Sequence, residues 1–522
     1  MTTGAAEEAR ARRLVPDWLA RRARTHREHP AVETPSGTLP YGELDAGVAR
    51  AARALRAERE EPAAGGPVAV LAANDAALCI LSHAVPRAGG VLVPLNARLT
   101  AAEIAWQLRD SRTRLLLVDE EHRALADEAL AEAERLGAPA PALRPAEAFT
   151  GGGGATAVGP GEARAEPLVD LDSVHSAIYT SGTSGRPKAA LLTHGNLLAS
   201  ALGSAFHLGV RAEDRWLAPL PLYHVGGLSI LVRSVLAGTT AVVHRRFDES
   251  AVSRALRGEG VTLASLVPAM LRRLLDHDRD PSPYPASVRA VLIGGAGAAP
   301  ELLSRAEERG LPVAPTYGLT EAASQVTTLA PGGASRRPRS SGQPLLGVSV
   351  AVDVDGRRAG PGEVGEILVS GPTISPGYLN AAPERREGGW LRTGDLGSLD
   401  ADGHLTVADR RDDLVVSGGE NVYPAEVEGA LAAHPAVAEG AVVGLPDERW
   451  GQIVVAAIVP TGDRPLRASE LEAFLRRRLA GYKLPRRLEP WEGSLPRTAS
   501  GKLLRRSVRE RLAGGDPAPP VR

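Results

Sequence analysis

The segment Tyr179-Thr180-Ser181-Gly182-Thr183-Ser184-Gly185-Arg186-Pro187-Lys188 lies between an apolar approach, Ala177-Ile178, and a further apolar segment. Small hydroxyl residues and glycines in a tight turn expose backbone N–H groups and side-chain donors, and Lys188 adds a positive charge. Such a turn is a cradle for phosphate oxygens. Its spacing is not that of the G-x-x-x-x-G-K-[ST] P-loop. On composition alone a Gly/Ser/Thr loop also reads as a flexible connector, and the lysine at its end tilts the balance toward phosphate.

Around this turn, apolar runs alternate with helical patterns. Val68 to Leu71, Val91 to Pro94, Leu115 to Val118, Ala241 to His244 and Ala290 to Ile293 are short runs between helix-like stretches, and Thr100 with Glu103 forms a capping box. The alternation predicts α/β layers with largely parallel sheets. Residues 137 to 167 read as a flexible connector. From Gly347 to Val407 short strands with Gly-rich turns predict a β-rich subdomain. Beyond Asp412 a compact α+β unit follows: a strand at Leu414 to Val416, a helix entered at Pro424, a strand at Ile453 to Val459, and a helix opened by a Ser469/Glu472 capping box and stopped at Gly481. The expected division is a large N-terminal domain, 1–409, and a small C-terminal domain, 410–522, with a frayed tail after Gly514.

At 522 residues the chain is too long for one ordinary core. A single cysteine, Cys79, permits no internal disulfide, the N-terminus lacks the apolar core of a secretion signal, and no run is apolar enough to span a bilayer. The expectation is a cytoplasmic protein. A formal charge of -1 offers no reason to seek nucleic acid. Among 61 basic residues only Lys188, Lys483 and Lys502 are lysines. A compact, rotatable ammonium differs from a planar guanidinium fork, so each of the three marks a place to look.

Three further motifs carry chemistry. In Tyr317-Gly-Leu-Thr-Glu321, after the glycine turn Ile293-Gly-Gly-Ala-Gly297, a hydroxyl beside a carboxylate suits a phosphate bridged to magnesium; an exposed helix start has the same pattern. Trp390-Leu-Arg-Thr-Gly-Asp395 and Asp409-Arg-Arg-Asp-Asp413 place carboxylates and arginines where ribose hydroxyls could be bound, although Asp near a turn is also a common turn former. Leu495-Pro-Arg-Thr-Ala-Ser-Gly-Lys502 presents a lysine on a polar turn, or is a solvated loop.

The order of these segments, with Pro221-Leu-Tyr-His-Val-Gly-Gly227 and Ser417-Gly-Gly-Glu-Asn-Val-Tyr-Pro-Ala-Glu-Val-Glu428 between them, resembles the ordered core motifs of the adenylate-forming superfamily. The resemblance implies a small domain that is mobile and two half-reactions. A carboxylate attacks the α-phosphate of MgATP to give acyl-AMP, and a thiol then displaces AMP. By the same resemblance Thr180, Ser181, Gly182, Thr183, Ser184 and Lys188 embrace the β and γ phosphates. Gly295, Ala296 and Tyr317 hold adenine, Thr320 the α-phosphate, Glu321 magnesium, and Asp395 and Arg410 the ribose. Lys502 matches the catalytic lysine of adenylation and Asp412 the hinge. Gly418 and Gly419 line the thiol channel, and Trp450, Tyr482, Lys483, Arg486 and Arg98 match coenzyme A contacts.

The Gly-Gly-Glu-Asn form resembles acyl-CoA synthetases more than carrier-loading domains, which makes coenzyme A the expected thiol. Asp214 to His224, Gly227-Leu-Ser229, His244 to Phe247 and Tyr317 to Gln325 resemble the ligases that act on o-succinylbenzoate in menaquinone biosynthesis. Gly226 departs from the serine often found there, and Ala189 from a glycine. A substrate with a second carboxylate needs a cation. Ser229 and Arg233, four apart on the expected helix, share a face, so Arg233 is the candidate partner, or else an arginine on a solvated face. His224 orients the reacting carboxylate or gates its pocket. Other readings are a fatty or aryl acyl-CoA synthetase and a non-catalytic nucleotide-binding regulator. The sequence does not indicate an oligomeric state.

Overall fold

Short runs of Val, Leu and Ile pair as strands, and the amphipathic stretches between them cover the sheets. The chain is described here from a computed structural model over residues 13–58, 65–137, 141–151, 167–180, 187–380, 386–409, 414–462, 467–496, 503 and 505–514. Among these residues one six-stranded sheet runs in the order Lys188–Thr193, Val174–Thr180, Val91–Pro94, Pro67–Leu71, Leu115–Val118, Ala142–Pro145, parallel except for its first pair. A nine-stranded sheet is parallel from Pro30–Thr34 through Thr240–Val243, Arg215–Ala218, Leu263–Leu266 and Ala290–Ile293 to Val313–Leu319, with antiparallel strands at both edges.

The helices Tyr41–Ala57, Ala76–Arg87 and Val225–Ala237 lie between the two sheets, and their buried faces join both sheets in the largest apolar cluster. Tyr41, fully buried there, donates to the carbonyls of Ser234 and Thr239 at 2.9 and 2.7 Å, so its hydroxyl is satisfied as burial requires. Separate clusters cover the outer faces of the sheets. Strands from Ser349–Val354 to Leu405–Asp409 form the β-rich subdomain.

The small domain is a sheet in the order Glu420–Val422, Val415–Ser417, Gly451–Pro460, Val437–Asp447, with Arg487–Pro490 parallel to Gly451–Pro460 and helices on both faces. Pro424 opens its first helix at the position where a missing N–H costs nothing.

Two expectations need correction. Part of the connector is ordered: Ala142–Pro145 extends the parallel sheet and Glu147–Thr150 is a helical turn whose Phe149 is buried in the main core. One buried aromatic and one strand ladder anchor an otherwise alanine- and glycine-rich stretch. The helix Ala468–Arg476 begins before Ser469, which therefore lies inside it. Arg467 is the N-cap and makes no side-chain cap bond, and the helix ends before Gly481. The boundary residues 410–413 and the tail after Gly514 lie outside the described residues.

Candidate active site

The C-terminal ends of the central strands converge on one cavity of about 360 Å³, where ligands bind in open α/β sheets. Thr180 and Lys188 face each other in register at the open end of the antiparallel pair, and the Thr180 hydroxyl donates to the Lys188 carbonyl at 3.3 Å. The two strands that flank the turn are thus paired up to their ends. Residues 181 to 184 lie outside the described residues. The Lys188 ammonium sits 5.3 Å from the centroid of the Tyr378 ring, and the Tyr378 hydroxyl donates to Glu321 at 2.6 Å. Tyr378 couples the expected phosphate and metal groups, and no sequence signal pointed to it.

Tyr317 and Asp395 also meet: the buried tyrosine donates to the Asp395 carboxylate at 2.7 Å, fixing the carboxylate's direction. Gly295, at φ +81°, turns the chain after Ile293. After Thr320–Ala322, Ala323 and Ser324 take positive φ values of 52° and 97°. Two adjacent non-glycine residues in that region store strain, and here they turn Ser324 and Gln325 back into the wall of the cavity.

At the opposite end His224 caps the helix Val225–Ala237, and Gly226 leaves that wall bare. Arg233 is 5% exposed and lines the cavity. The arrangement therefore rules out an arginine on a solvated face. Its Nη2 donates to Ser200 at 3.3 Å, its guanidinium carbon lies 5.6 Å from the Trp216 ring, and Nε has no partner among the described residues. Among the described residues no carboxylate pairs with it. Burial pushes its pKa down to about 9, which leaves it charged at neutral pH. Gln325 adds a buried Oε1 without a partner among the described residues, while its Nε2 donates to Thr328 at 2.8 Å. Ser229 is buried between this helix and the next wall, 3.5 Å from the Ser324 hydroxyl.

The small domain supplies the remaining wall. Gly418, at φ +60°, accepts the Trp450 ring so closely that a Cβ would lie 2.8 Å from it. Gly419 packs on Val267 in the same way. Glu420 then crosses the interface: His224 Nε2 lies 3.0 Å from Oε2, Arg98 donates to Oε1 at 2.9 Å and Tyr223 donates to the same oxygen at 3.3 Å. Burial alone would raise the Glu420 carboxyl, but His224, Arg98 and Tyr223 outweigh it and hold its pKa down to about 2. Glu420 lies in the Ser417 to Glu428 motif, and these side-chain contacts are all to residues distant in sequence.

The contact with coenzyme A that the resemblance implies for Lys483 does not hold in this arrangement. Its ammonium is buried and bound to Glu103 and Glu426 at 2.6 and 2.7 Å. Trp450, by contrast, is only partly buried and carries Arg486 at 4.5 Å from its ring. Ala296, Tyr317, Ser229, Trp450 and Lys483 do not line the cavity, whereas Thr180, Lys188, His224, Arg233, Thr320, Glu321, Gln325, Asp395, Gly295, Gly418 and Gly419 do. Arg410, Asp412 and Lys502 lie outside the described residues. No helix among the described residues is long and apolar enough to cross a membrane.

The cavity has Thr180 and Lys188 at one end and, at the other, a buried arginine with no carboxylate partner among the described residues, and the chain is similar to known proteins. The profile of the AMP-binding enzyme family matches residues 19–379, and that of its C-terminal domain residues 426–502. A 2-succinylbenzoate–CoA ligase of Bacillus cereus is 38% identical over 95% of this chain and 98% of its own length. The o-succinylbenzoate CoA synthetase of Bacillus subtilis has been solved in several states. A double mutant bound to its product analogue OSB-NCoA superposes with TM-score 0.86 at 38% identity over 95% of this chain and 99% of its own. The same enzyme with the acyl-adenylate OSB-AMP gives 0.71 at 37% identity over 97% and 99%. The two differ little in sequence or coverage, so the gap is conformational, and the domains here are arranged as in the product-side complex. This chain belongs to the AMP-binding enzyme family and is built as its acid–CoA ligases are, a large N-terminal domain closed by a small C-terminal one.

Proposed function

We propose that the chain converts o-succinylbenzoate, ATP and coenzyme A to o-succinylbenzoyl-CoA, AMP and pyrophosphate, as a cytoplasmic enzyme of menaquinone biosynthesis with its domain boundary at 409/410. The observation that carries the substrate is Arg233: a buried, charged guanidinium with no carboxylate partner among the described residues, facing the cavity. A lone buried charge costs several kcal/mol, and a distal carboxylate would remove that cost, with Gln325 beside it and Ser229 behind the wall. A monocarboxylic fatty acid would leave the charge unpaired.

In the first half-reaction a carboxylate oxygen of the acid bonds to the α-phosphorus of ATP and pyrophosphate leaves. Nothing need deprotonate the nucleophile, since a carboxylic acid is ionised at pH 7; His224 therefore orients it. The loop from Thr180 to Lys188, with Ser181, Gly182, Thr183 and Ser184, binds the β and γ phosphates. Thr320 reaches the α-phosphate, Asp395 and Arg410 the ribose, and Gly295, Ala296 and Tyr317 the adenine. The Glu321 carboxylate, at the cavity wall beside Thr320, fits magnesium, a cation that takes one or two protein carboxylates and keeps phosphate and water oxygens. Held there, it would neutralise phosphate charge. Lys502 stabilises the charge that develops between carboxylate and phosphate.

In the second half-reaction the sulfur of coenzyme A bonds to the acyl carbon, AMP leaves and the thiol proton passes to solvent. Gly418 and Gly419 border the thiol's path, with Trp450, Arg486 and Arg98 around the nucleotide of coenzyme A and Asp412 as the hinge. Incubation with o-succinylbenzoate and a panel of fatty and aryl acids, with AMP measured with and without coenzyme A, tests the assignment. AMP with fatty acids but not with o-succinylbenzoate would overturn it.

Glu420 gives a separate prediction. It draws His224 and Arg98 onto the small domain, so Glu420→Gln should slow thioester formation from supplied acyl-AMP roughly tenfold while leaving adenylation within about twofold. Because its folded pKa lies below the ordinary carboxylate value, its contribution to stability is complete above about pH 4.5 and is lost as pH falls toward 2. Acid unfolding monitored by circular dichroism should be less steep in Glu420→Gln over that window; identical curves would show that the contact contributes nothing.

A further inference from the structure

We infer that Lys483 is a positioning residue, a latch that holds the small domain in the product-side arrangement and so governs thioester formation and not adenylation. The inference rests on the CoA-ligase reading above. The lysine ends the short turn Gly481–Lys483 of the small domain and is 2% exposed. One of its carboxylate partners, Glu426, belongs to its own domain, at the start of the helix Pro424–Ala432. The other, Glu103, belongs to the large domain, on the helix Ala101–Asp110. The contact to Glu103 exists only while the small domain sits where it does here.

The large-domain half is built in advance. Glu103 uses Oε2 to accept the backbone N–H and the hydroxyl of Thr100, both at 2.8 Å, and so leaves Oε1 aimed at the ammonium. Apolar neighbours exclude water: Ala480 and Tyr482 of the small domain join Leu95, Leu99 and Ile104 of the large one in a single cluster. The second oxygen of Glu426 has no partner among the described residues, and burial raises that carboxyl even beside Lys483. A buried ion pair adds little net stability, but removing one partner while the other stays buried leaves a charge uncompensated.

The geometry also accounts for the residue type. The ammonium, a compact point charge with diverging donors, reaches one oxygen in each domain, at 2.6 and 2.7 Å. A planar guanidinium directs its N–H groups in a fixed fork and is bulkier. In a chain that writes nearly all its positive charge as arginine, this lysine is kept by an enclosed space between two carboxylates.

Glu103→Gln tests the latch with little risk to the fold, since glutamine at this helical position can still serve the capping box. Two rates are read in the full-length enzyme: pyrophosphate release without coenzyme A, and thioester formation from supplied acyl-AMP. The expected result is a roughly tenfold loss in the second with the first within about twofold, and the same direction for Lys483→Arg. Domain position is read independently of chemistry, by electron–electron distance measurement between spin labels on cysteines replacing the exposed Arg114 and Arg477, the native Cys79 being buried. Glu103→Gln should add a second distance population. Equal loss of both rates, no loss in either, or an unchanged distance distribution would overturn the latch. Failure of the CoA-ligase reading is distinguishable, because the parent enzyme would then form no thioester while the label distances still report on the latch.

Discussion

Arg233→Ala should lower kcat/KM for o-succinylbenzoate by about 10² to 10³-fold while changing use of a monocarboxylic aryl acid by less than about threefold. Breaking a buried ion pair by removing one partner costs about 3 to 5 kcal/mol, and here the uncompensated charge would be the ligand's own distal carboxylate. In the free protein the change is milder. Arg233 makes one long hydrogen bond to Ser200 and keeps a buried Nε without a partner, so its removal relieves a desolvated charge as well as leaving a gap. Thermal stability should fall little or rise. Steady-state kinetics with the two acids, alongside a melting curve, check both parts. Equal losses for the two acids would show that Arg233 supports the helix instead of reading the substrate.

The second large effect concerns Lys188 and Lys502, the two lysines proposed to act at the phosphates. Lys188→Met should reduce adenylation by about 10² to 10³-fold, in line with the loss of one preorganised group at developing charge, and Lys502→Ala should do at least as much. Neither should slow thioester formation from supplied acyl-AMP by more than about threefold. The reason is chemical: acyl-AMP carries no β or γ phosphate, so Lys188 at the mouth of the strand pair has nothing to bind in the second step. Lys188 also stands over the Tyr378 ring whose hydroxyl holds Glu321. Magnesium dependence should therefore weaken in Lys188→Met, as read from the concentration giving half-maximal pyrophosphate release. Parallel losses in both half-reactions would contradict the division of roles.

Much of this site could be read in the sequence because its chemistry is local. The Thr100 capping box and the Pro424 helix start are short-range patterns, and each has its expected form, while the turn between Thr180 and Lys188 shows its two flanking strands paired in register. Arg233 was reachable from its spacing to Ser229, but its burial was not, since that depends on two sheets closing over one helix. Lys483 was misplaced for the same reason. Its partners are 380 and 57 residues away, and no local pattern distinguishes a lysine between two distant carboxylates from one at a nucleotide. Glu420 and Tyr378 act through pairings of equally long range. The cap expected at Ser469 failed because a side-chain acceptor is a preference, and the backbone at Arg467 could begin the helix without one.

The most direct test of the account is the product of one reaction. Purified enzyme, o-succinylbenzoate, MgATP and coenzyme A are incubated together, and AMP and thioester are quantified by mass spectrometry. Equimolar AMP and o-succinylbenzoyl-CoA are expected, at a rate well above that with any fatty acid. AMP and thioester from fatty acids, with none from o-succinylbenzoate, would contradict it.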